Sequence, residues 1–313
     1  MFVSRFATVL IVLLAIGAGS TDRANGRQQP NEPAPGRKQI LQLQKLSRQL
    51  RPLHQKMEPS QPGDWLESHP EPGQTLQQYL KSRPVTLTPD RKTLYVLPLG
   101  EFDPQQRKIV DLSAEFLKLY FCCDVQTLDP LSLADVIPPA ARRVHPDWGM
   151  PQIKSTFVLE SVLPQRVPEN GVALIAFTTS DLYPDDDWNF VFGQATFRDR
   201  VGVWSIYRNG DPQTEFKLCL KRTLRIATHE TGHMFSLAHC TAYECNMCGT
   251  NSLAEADRRP LYLCPVCVAK VGFATGFDPI RRFEQLLKFC QRNELGEEAE
   301  YFSKALEAIR SGD

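Results

Sequence analysis

Residues 229–247 decide the fold and chemistry of this chain. Their sequence is H-E-T-G-H-M-F-S-L-A-H-C-T-A-Y-E-C-N-M. His229, Glu230 and His233 form H-E-x-x-H, the signature of a zinc-binding helix. Four residues of α-helix turn through about 400°, so both histidines project from one face and can reach one ion. Glu230 is offset from His229 by about 100°, where its carboxylate can accept a proton from a bound water. The spacing therefore predicts a zinc site with Glu230 as general base.

A third ligand is expected because a catalytic zinc usually has three protein ligands and one open position for water. His239 is the candidate, six residues after His233 and too far along to continue the same helical face. We therefore predict a long helix over about Leu218–Leu237 that ends and turns back near residues 235–238. The remaining histidines lie in proline-rich or charged surroundings and are predicted to be surface residues outside the site: His54, His69 and His145.

A cluster of cysteines follows the third histidine. Cys240 and Cys245 form one pair, and Cys264 and Cys267 form a second pair as C-P-V-C. Four thiols in two pairs fit a tetrahedral all-thiolate zinc site, with two disulfides as the alternative in an oxidising compartment. Cys248 is left without an assigned role. Four further cysteines have apolar surroundings and are interpreted as buried thiols: Cys122, Cys123, Cys219 and Cys290.

The residues before this helix predict an α/β arrangement. Thr93–Leu99 is rich in strand-forming residues, and 108–120 then has the apolar spacing of an amphipathic helix. Gly171–Thr179 is a continuous apolar run, as expected of a central strand that is covered on both faces. Asn189–Thr196 and Val201–Tyr207 are predicted to be two further strands.

The domain boundaries follow from composition. Residues 1–20 have the layout of a secretory signal peptide, which predicts a secreted or periplasmic protein, with membrane anchoring by an uncleaved leader as the alternative. Residues 21–92 are rich in proline and predict a linker with a possible short helix at 38–50. The compact domain is expected at 93–290. Residues 291–313 are expected to form a C-terminal helical tail.

The overall charge narrows the class of partner. Lys+Arg and Asp+Glu both number 36, and the chain is 42% hydrophobic and 23% charged, which is an ordinary globular composition. A disordered or fibrous chain is therefore excluded. The balanced charge gives no overall electrostatic footprint for nucleic acid or an anionic membrane, so we expect neither a nucleic-acid partner nor stable membrane insertion once a leader is removed.

The pattern H-E-x-x-H-x-x-S-x-x-H-C-x4-C-x-M resembles the archaemetzincins, which are zinc metallopeptidases of the metzincin clan. Four further stretches resemble this family: 181–184, 189–195, 255–261 and 263–267. The resemblance implies a metzincin-like α/β catalytic domain with a twisted mixed β-sheet, an active-site helix and a Met-turn. It also implies that Asn189–Thr196 resembles the edge strand that binds extended substrate.

Residue roles can be carried over from this resemblance. It implies one catalytic zinc on His229, His233 and His239, with Glu230 as general base and Met247 as the Met-turn residue beneath the histidines. It implies a second, structural zinc on four cysteines: Cys240, Cys245, Cys264 and Cys267.

One position departs from the family pattern. Ser236 stands where the family has glycine, and a non-glycine residue with positive φ costs on the order of 1 kcal/mol.

The expected function is a zinc-dependent endo- or aminopeptidase acting on peptides or proteins. The alternatives are a catalytically silent, zinc-stabilised binding or scaffold protein, and a zinc-buffering protein. The sequence does not fix the oligomeric state.

Overall fold

The computed structural model describes residues 36–196 and 199–311, and the leader expected at 1–20 lies outside them. The helices are α1 Arg37–Leu50, α2 Trp65–Ser68, α3 Leu76–Lys81, α4 Pro104–Phe121, α5 Leu133–Val136, α6 Ser155–Phe157, α7 Phe216–Met234, α8 Leu253–Arg258, α9 Pro265–Thr275, α10 Pro279–Arg292 and α11 Gly296–Ser311. The strands are β1 Thr93–Leu99, β2 Asp124–Thr127, β3 Arg142–Val144, β4 Pro151–Lys154, β5 Gly171–Thr178, β6 Asp181–Tyr183, β7 Gly193–Thr196 and β8 Val201–Ser205.

The central sheet has the strand order β2-β1-β5-β8-β7. Strands β1, β2, β5 and β8 pair in parallel, and β7 pairs antiparallel with β8. Every residue of β5 is buried, which confirms the predicted central strand. A smaller sheet has the order β3-β4-β6, with β3 antiparallel to β4. The mixed sheets and flanking helices give the α/β fold that the sequence predicted.

Alternating residues of β5 separate two hydrophobic clusters. Ile175 and Phe177 belong to the cluster that includes the inward faces of α4 and α7, whereas Leu174 and Ala176 face a second cluster near 157–163. This alternation follows from the two-residue period of a strand. The sheet is therefore covered on both faces, and α7 is fixed against one of them.

The predicted strand Asn189–Thr196 is shorter in the structure. Only Gly193–Thr196 forms β7, because the preceding residues pair with the other sheet: Val191 donates its backbone N–H to the carbonyl of Leu182 at 2.9 Å. The segment thus crosses from the smaller sheet to the edge of the central sheet.

Residues 36–92 are packed on the domain, which differs from the predicted linker. The predicted short helix is present as α1, which buries Leu43, Leu46 and Leu50. Farther along, Trp65 is 5% exposed and Tyr79 is fully buried. Composition indicated a linker because the anchoring residues are widely spaced single aromatics, which produce no periodic pattern.

The C-terminal residues also belong to the core. In α11, Tyr301 and Phe302 are buried, and the Tyr301 ring stacks on Tyr262 with centroids 3.6 Å apart. Residues 291–311 therefore extend the domain rather than forming a separate tail. Among the described residues, no helix is both long enough and apolar enough to span a bilayer.

Candidate metal centre

The end of α7 brings the three motif histidines together. The helix stops at Met234, earlier than predicted, and Ser236 follows with φ +66°. The backbone N–H of Leu237 donates to the carbonyl of Gly232 at 3.1 Å and closes the turn. One ligand atom from each of His229, His233 and His239 lies within 4.8 Å of the others. The reversal expected near residues 235–238 is confirmed.

Each histidine directs its Nε2 atom to the shared centre, because its Nδ1 atom is held from behind by an oxygen. Nδ1 of His229 lies 2.7 Å from the carbonyl of Asn246, and Nδ1 of His233 lies 2.6 Å from the carbonyl of Leu237. Nδ1 of His239 lies 2.9 Å from a carboxylate oxygen of Glu71. These acceptors favour the Nδ1–H tautomer, which leaves Nε2 available to a metal.

The distances at the centre fit zinc. Nε2 of His229 and Nε2 of His233 are 3.0 Å apart, and tetrahedral zinc with nitrogen ligands requires about 3.3 Å. The Nε2 atom of His239 is buried and has no hydrogen-bond partner among the described residues. Burial lowers the pKa of His229 to about 3 and lowers the pKa of His233 well below its usual value. Both imidazoles are therefore neutral, as metal ligation requires.

Glu230 is buried next to these ligands, with 1% of its surface exposed. Burial raises the pKa of its carboxyl group to about 8, because the charged form loses hydration. Glu230 and His229 line a small cavity of about 30 Å³, together with apolar residues that include Phe192 and Ile226. Glu230 therefore shares a buried cavity with one of the three motif histidines.

Met247, which the family resemblance gives as the Met-turn residue, packs against α7 at Gly232, the residue before His233. Its side chain is fully buried, and a Cβ atom on Gly232 would lie only 2.5 Å from its Sδ atom. The carbonyl of Met247 accepts a hydrogen bond from the backbone N–H of Cys240 at 2.7 Å. Gly232 thus permits the close approach of the thioether to α7.

The structure brings together the four predicted cysteines as a second group. Their Sγ atoms lie within 4.8 Å of one another and are buried: Cys240, Cys245, Cys264 and Cys267. Sγ of Cys240 and Sγ of Cys264 are 3.7 Å apart, close to the roughly 3.8 Å of a tetrahedral zinc–thiolate site. Sγ of Cys245 also accepts the backbone N–H of Cys264 at 3.1 Å. All nine cysteines, each within the described residues, are free thiols, so the alternative of two disulfides is not formed.

The remaining cysteines are buried, as expected, except that Cys122 is half-buried. Cys248, which had no assigned role, is also buried, and its thiol donates to the carbonyl of Tyr243 at 3.3 Å. The same carbonyl accepts from Cys240 at 3.7 Å, so Cys248 lies beside the four-cysteine group.

The prediction that the other histidines are surface residues is wrong for His145, which is buried, and His54 and His69 are half-buried rather than exposed. His145 is 1% exposed and stacks on Trp148, with ring centroids 3.9 Å apart. His54 is half-buried between tyrosines, and burial lowers its pKa to about 4. His69 is half-buried and stacks on Trp65, whose ring lies edge-on to His239. The prediction failed because prolines and charges along the chain do not report on ring contacts, which here come from near neighbours for His145 and His69 and from distant tyrosines for His54.

Sequence reasoning missed Glu71. It lies 168 residues before His239 in a proline-rich stretch, and no spacing signal connects the two residues. Its charge alone gave no reason to select it from the other acidic residues.

Comparison with known proteins identifies a peptidase family and several relatives. Residues 162–272 match peptidase family M54. The chain is 31% identical over 270 residues to archaemetzincin-2 of Macaca fascicularis, covering 75% of this chain and 74% of that protein. It is 32% identical over 264 residues to archaemetzincin-2 of Homo sapiens, covering 73% and 72%. Among solved structures, an archaemetzincin from Methanopyrus kandleri is similar, with TM-score 0.47 and 26% identity, covering 59% of this chain and 96% of that chain.

The family match and the relatives define the class of the protein as a zinc metallopeptidase. Within that class, the chain belongs to the archaemetzincin family.

Proposed function

We propose that this chain hydrolyses peptide bonds with a zinc ion held by His229, His233 and His239 and with Glu230 as general base. The observation that supports this most directly is the convergence of three buried Nε2 atoms, each fixed by an oxygen at its own Nδ1 atom. Histidines that served only to fill the core would have no reason to share this orientation.

His229, His233 and His239 would hold a zinc ion that, when bound, would act as a Lewis acid towards the scissile carbonyl and the attacking water. Glu230 accepts the proton of that water and returns it to the leaving amine nitrogen. Burial alone raises the pKa of its carboxyl group to about 8, and a cation held by the histidines would favour the carboxylate form that accepts the proton. The neutral state of His229 and His233 keeps both side chains available as ligands.

The edge strand β7 is suited to hold the substrate. It is the last strand in the order of the central sheet, and it packs on α7, where a Cβ atom on Gly193 would lie 3.5 Å from Ile226. An extended peptide can add to such an edge through backbone hydrogen bonds. We therefore place the substrate between β7 and the three histidines.

The second part of the proposal is a structural zinc on the four cysteines. Buried sulfur atoms at tetrahedral spacing leave no coordination position for water, as in structural sites. The expected stoichiometry is two zinc ions per chain, which elemental analysis of the purified protein measures.

The test is cleavage of a diverse peptide mixture, read by mass spectrometry. The full native chain is compared with its Glu230→Gln variant. Loss of general base catalysis typically lowers the rate by about 10²- to 10⁴-fold. The control is Glu160→Gln, which changes an exposed carboxylate elsewhere. Products that disappear in the Glu230 variant, while its zinc content and the activity of the control are unchanged, support the proposal. Equal activity in Glu230→Gln would refute the role of Glu230, and a zinc-loaded but inactive native chain would favour the silent binding protein.

A further inference from the structure

A carboxylate from outside the predicted catalytic domain contacts the third histidine. Oε1 and Oε2 of Glu71 lie 3.0 and 2.9 Å from Nδ1 of His239. The His239 side chain is 3% exposed, and that of Glu71 is 29% exposed. The other two histidines use backbone carbonyls near the motif itself, at Asn246 and Leu237. The Nδ1 atom of the third histidine is held by a side chain, and that side chain comes from residues 64–85, which we call the strap.

Glu71 is held in place by Trp65. The indole Nε1–H of Trp65 donates to Oε1 of Glu71 at 3.0 Å, and the Trp65 ring lies edge-on to His239 with centroids 5.2 Å apart. The backbone N–H of Trp65 lies 3.1 Å from a carboxylate oxygen of Glu255. Its ring also packs over Gly249, where an added Cβ atom would lie 2.4 Å away. Trp65 is therefore fixed between the third histidine and the loop after Met247.

The strap also forms hydrogen bonds to the turn that precedes His239. Oε1 of Gln74 accepts the backbone N–H of Ala238 at 3.2 Å, and its Nε2 donates to the carbonyl of Ser236 at 3.3 Å. The backbone carbonyl of Gln74 in turn accepts a hydrogen bond from the buried Lys270 at 2.6 Å. The backbone on the N-terminal side of His239 and the ring of His239 are thus both held by one short stretch of the strap.

We propose that Glu71 is the positioning residue of the third zinc ligand, so that the strap completes the metal centre. This inference rests on the proposed function, since it assumes that the three histidines bind zinc. A carboxylate that accepts the Nδ1–H bond of a metal-binding histidine fixes its tautomer and ring orientation and makes Nε2 a more basic ligand. Glu71 itself is not a fourth ligand, because its oxygens lie at Nδ1, the nitrogen that does not face the shared centre.

The experiment measures the zinc affinity of the full chain by competition with a chromophoric chelator, without any substrate. We compare the native chain with Glu71→Ala and Glu71→Gln. The matched control is Glu67→Gln, which removes a charge from an exposed carboxylate on the same strap. Loss of the hydrogen-bond partner of a metal-binding histidine typically weakens metal binding by about 10- to 100-fold. We expect that loss for one of two zinc ions in Glu71→Ala, a smaller loss in Glu71→Gln, and none in the control.

The second zinc ion distinguishes positioning from a general structural role. If Glu71 only stabilised the fold, both zinc ions would be released together and the thermal unfolding midpoint would fall in parallel. Native affinity at both sites in both Glu71 variants would overturn the inference, and so would equal weakening at both sites. The native chain is assayed for peptide cleavage separately. An inactive native chain with weakened zinc binding in Glu71→Ala would overturn the peptidase proposal alone, whereas an active native chain with unchanged affinity in the variants would overturn only the role of Glu71.

Discussion

The hydroxyl oxygen of Ser236 accepts a hydrogen bond from the backbone N–H of Val85 at 3.1 Å. Ser236 has φ +66°, the conformation for which the family pattern has glycine. The strap therefore supplies a hydrogen bond at the position where serine introduces backbone strain. This compensation explains how the turn before His239 can form without glycine.

Substitutions at Ser236 test whether the hydrogen bond from Val85 offsets the backbone strain. Ser236→Ala keeps the strained φ and removes the acceptor, so we expect a loss of about 1 kcal/mol in the free energy of unfolding, more if the Val85 N–H remains unpaired. Ser236→Gly removes both the strain and the hydrogen bond, and the two effects of about 1 kcal/mol each nearly cancel. Denaturant unfolding of the two variants measures the difference. An equal loss in both would show that the hydrogen bond, rather than backbone strain, dominates at this residue.

The activity of Ser236→Gly carries separate information. Because the native turn already brings the Nε2 atom of His239 into the shared centre, we expect glycine to change peptide cleavage by no more than a few-fold. If glycine instead created activity in a chain that had none, serine would be the cause of a silent site.

The contact between Gly232 and Met247 gives a second prediction. A methyl group on Gly232 would lie 2.5 Å from Sδ of the fully buried Met247, so Gly232→Ala must displace the thioether. Such overpacking typically costs about 1–3 kcal/mol, and here it also disturbs the packing of α7 next to His233. We expect lower unfolding free energy and weaker zinc binding at the three-histidine site. The control is Gly296→Ala, where an added Cβ atom has no neighbour within 4 Å.

The four-cysteine group gives a third prediction. Cys267→Ser removes one of four buried sulfur ligands, so we expect zinc content to fall from two ions per chain to one and the thermal unfolding midpoint to drop. Elemental analysis and a thermal scan measure the two effects. Cys219→Ser provides the comparison, because Cys219 is buried but lies outside the group. Two zinc ions retained by the Cys267 variant would contradict a four-thiolate site.

The pH dependence of stability gives a fourth prediction. Burial lowers the pKa of His54 from its ordinary 6.5 to about 4, so the unfolded chain binds a proton more readily than the folded chain. The stabilising effect of the neutral side chain is complete above pH 6.5 and is lost as the pH falls towards 4. Between pH 8 and pH 5.5, we expect the native chain to lose roughly 1 kcal/mol more unfolding free energy than His54→Gln. Parallel pH profiles for the two proteins would show that His54 does not contribute.

The sequence predicted best those features that are local. The strand β5 and the turn between His233 and His239 follow from spacing along a short stretch, where helix and strand periods fix the geometry. Met247 and the cysteine pairs came from a motif that is nearly as compact. Each of these involves residues that are close along the chain or carry a distinctive chemical type.

What the sequence did not predict depends on long-range contacts. Glu71 reaches His239 from 168 residues away, and Nε2 of the buried His145 lies 3.3 Å from Oδ1 of Asn189, 44 residues farther along the chain. The strap has the composition of a linker because its contacts use single aromatics, backbone groups and amides. Single-residue contacts of this kind produce no periodicity, so only the folded chain shows them.

The two ends of the described chain meet, and this has a consequence for synthesis. Nε2 of Gln49 in α1 donates to the backbone carbonyl of Ile309 in α11 at 3.1 Å, across 260 positions of sequence. During translation, α1 leaves the ribosome first, at a time when the helix that it contacts has not been made. The apolar face of α1, which packs on α9 as well as on α11, therefore stays exposed until those helices have been made, and a chaperone that holds the nascent chain would protect that face.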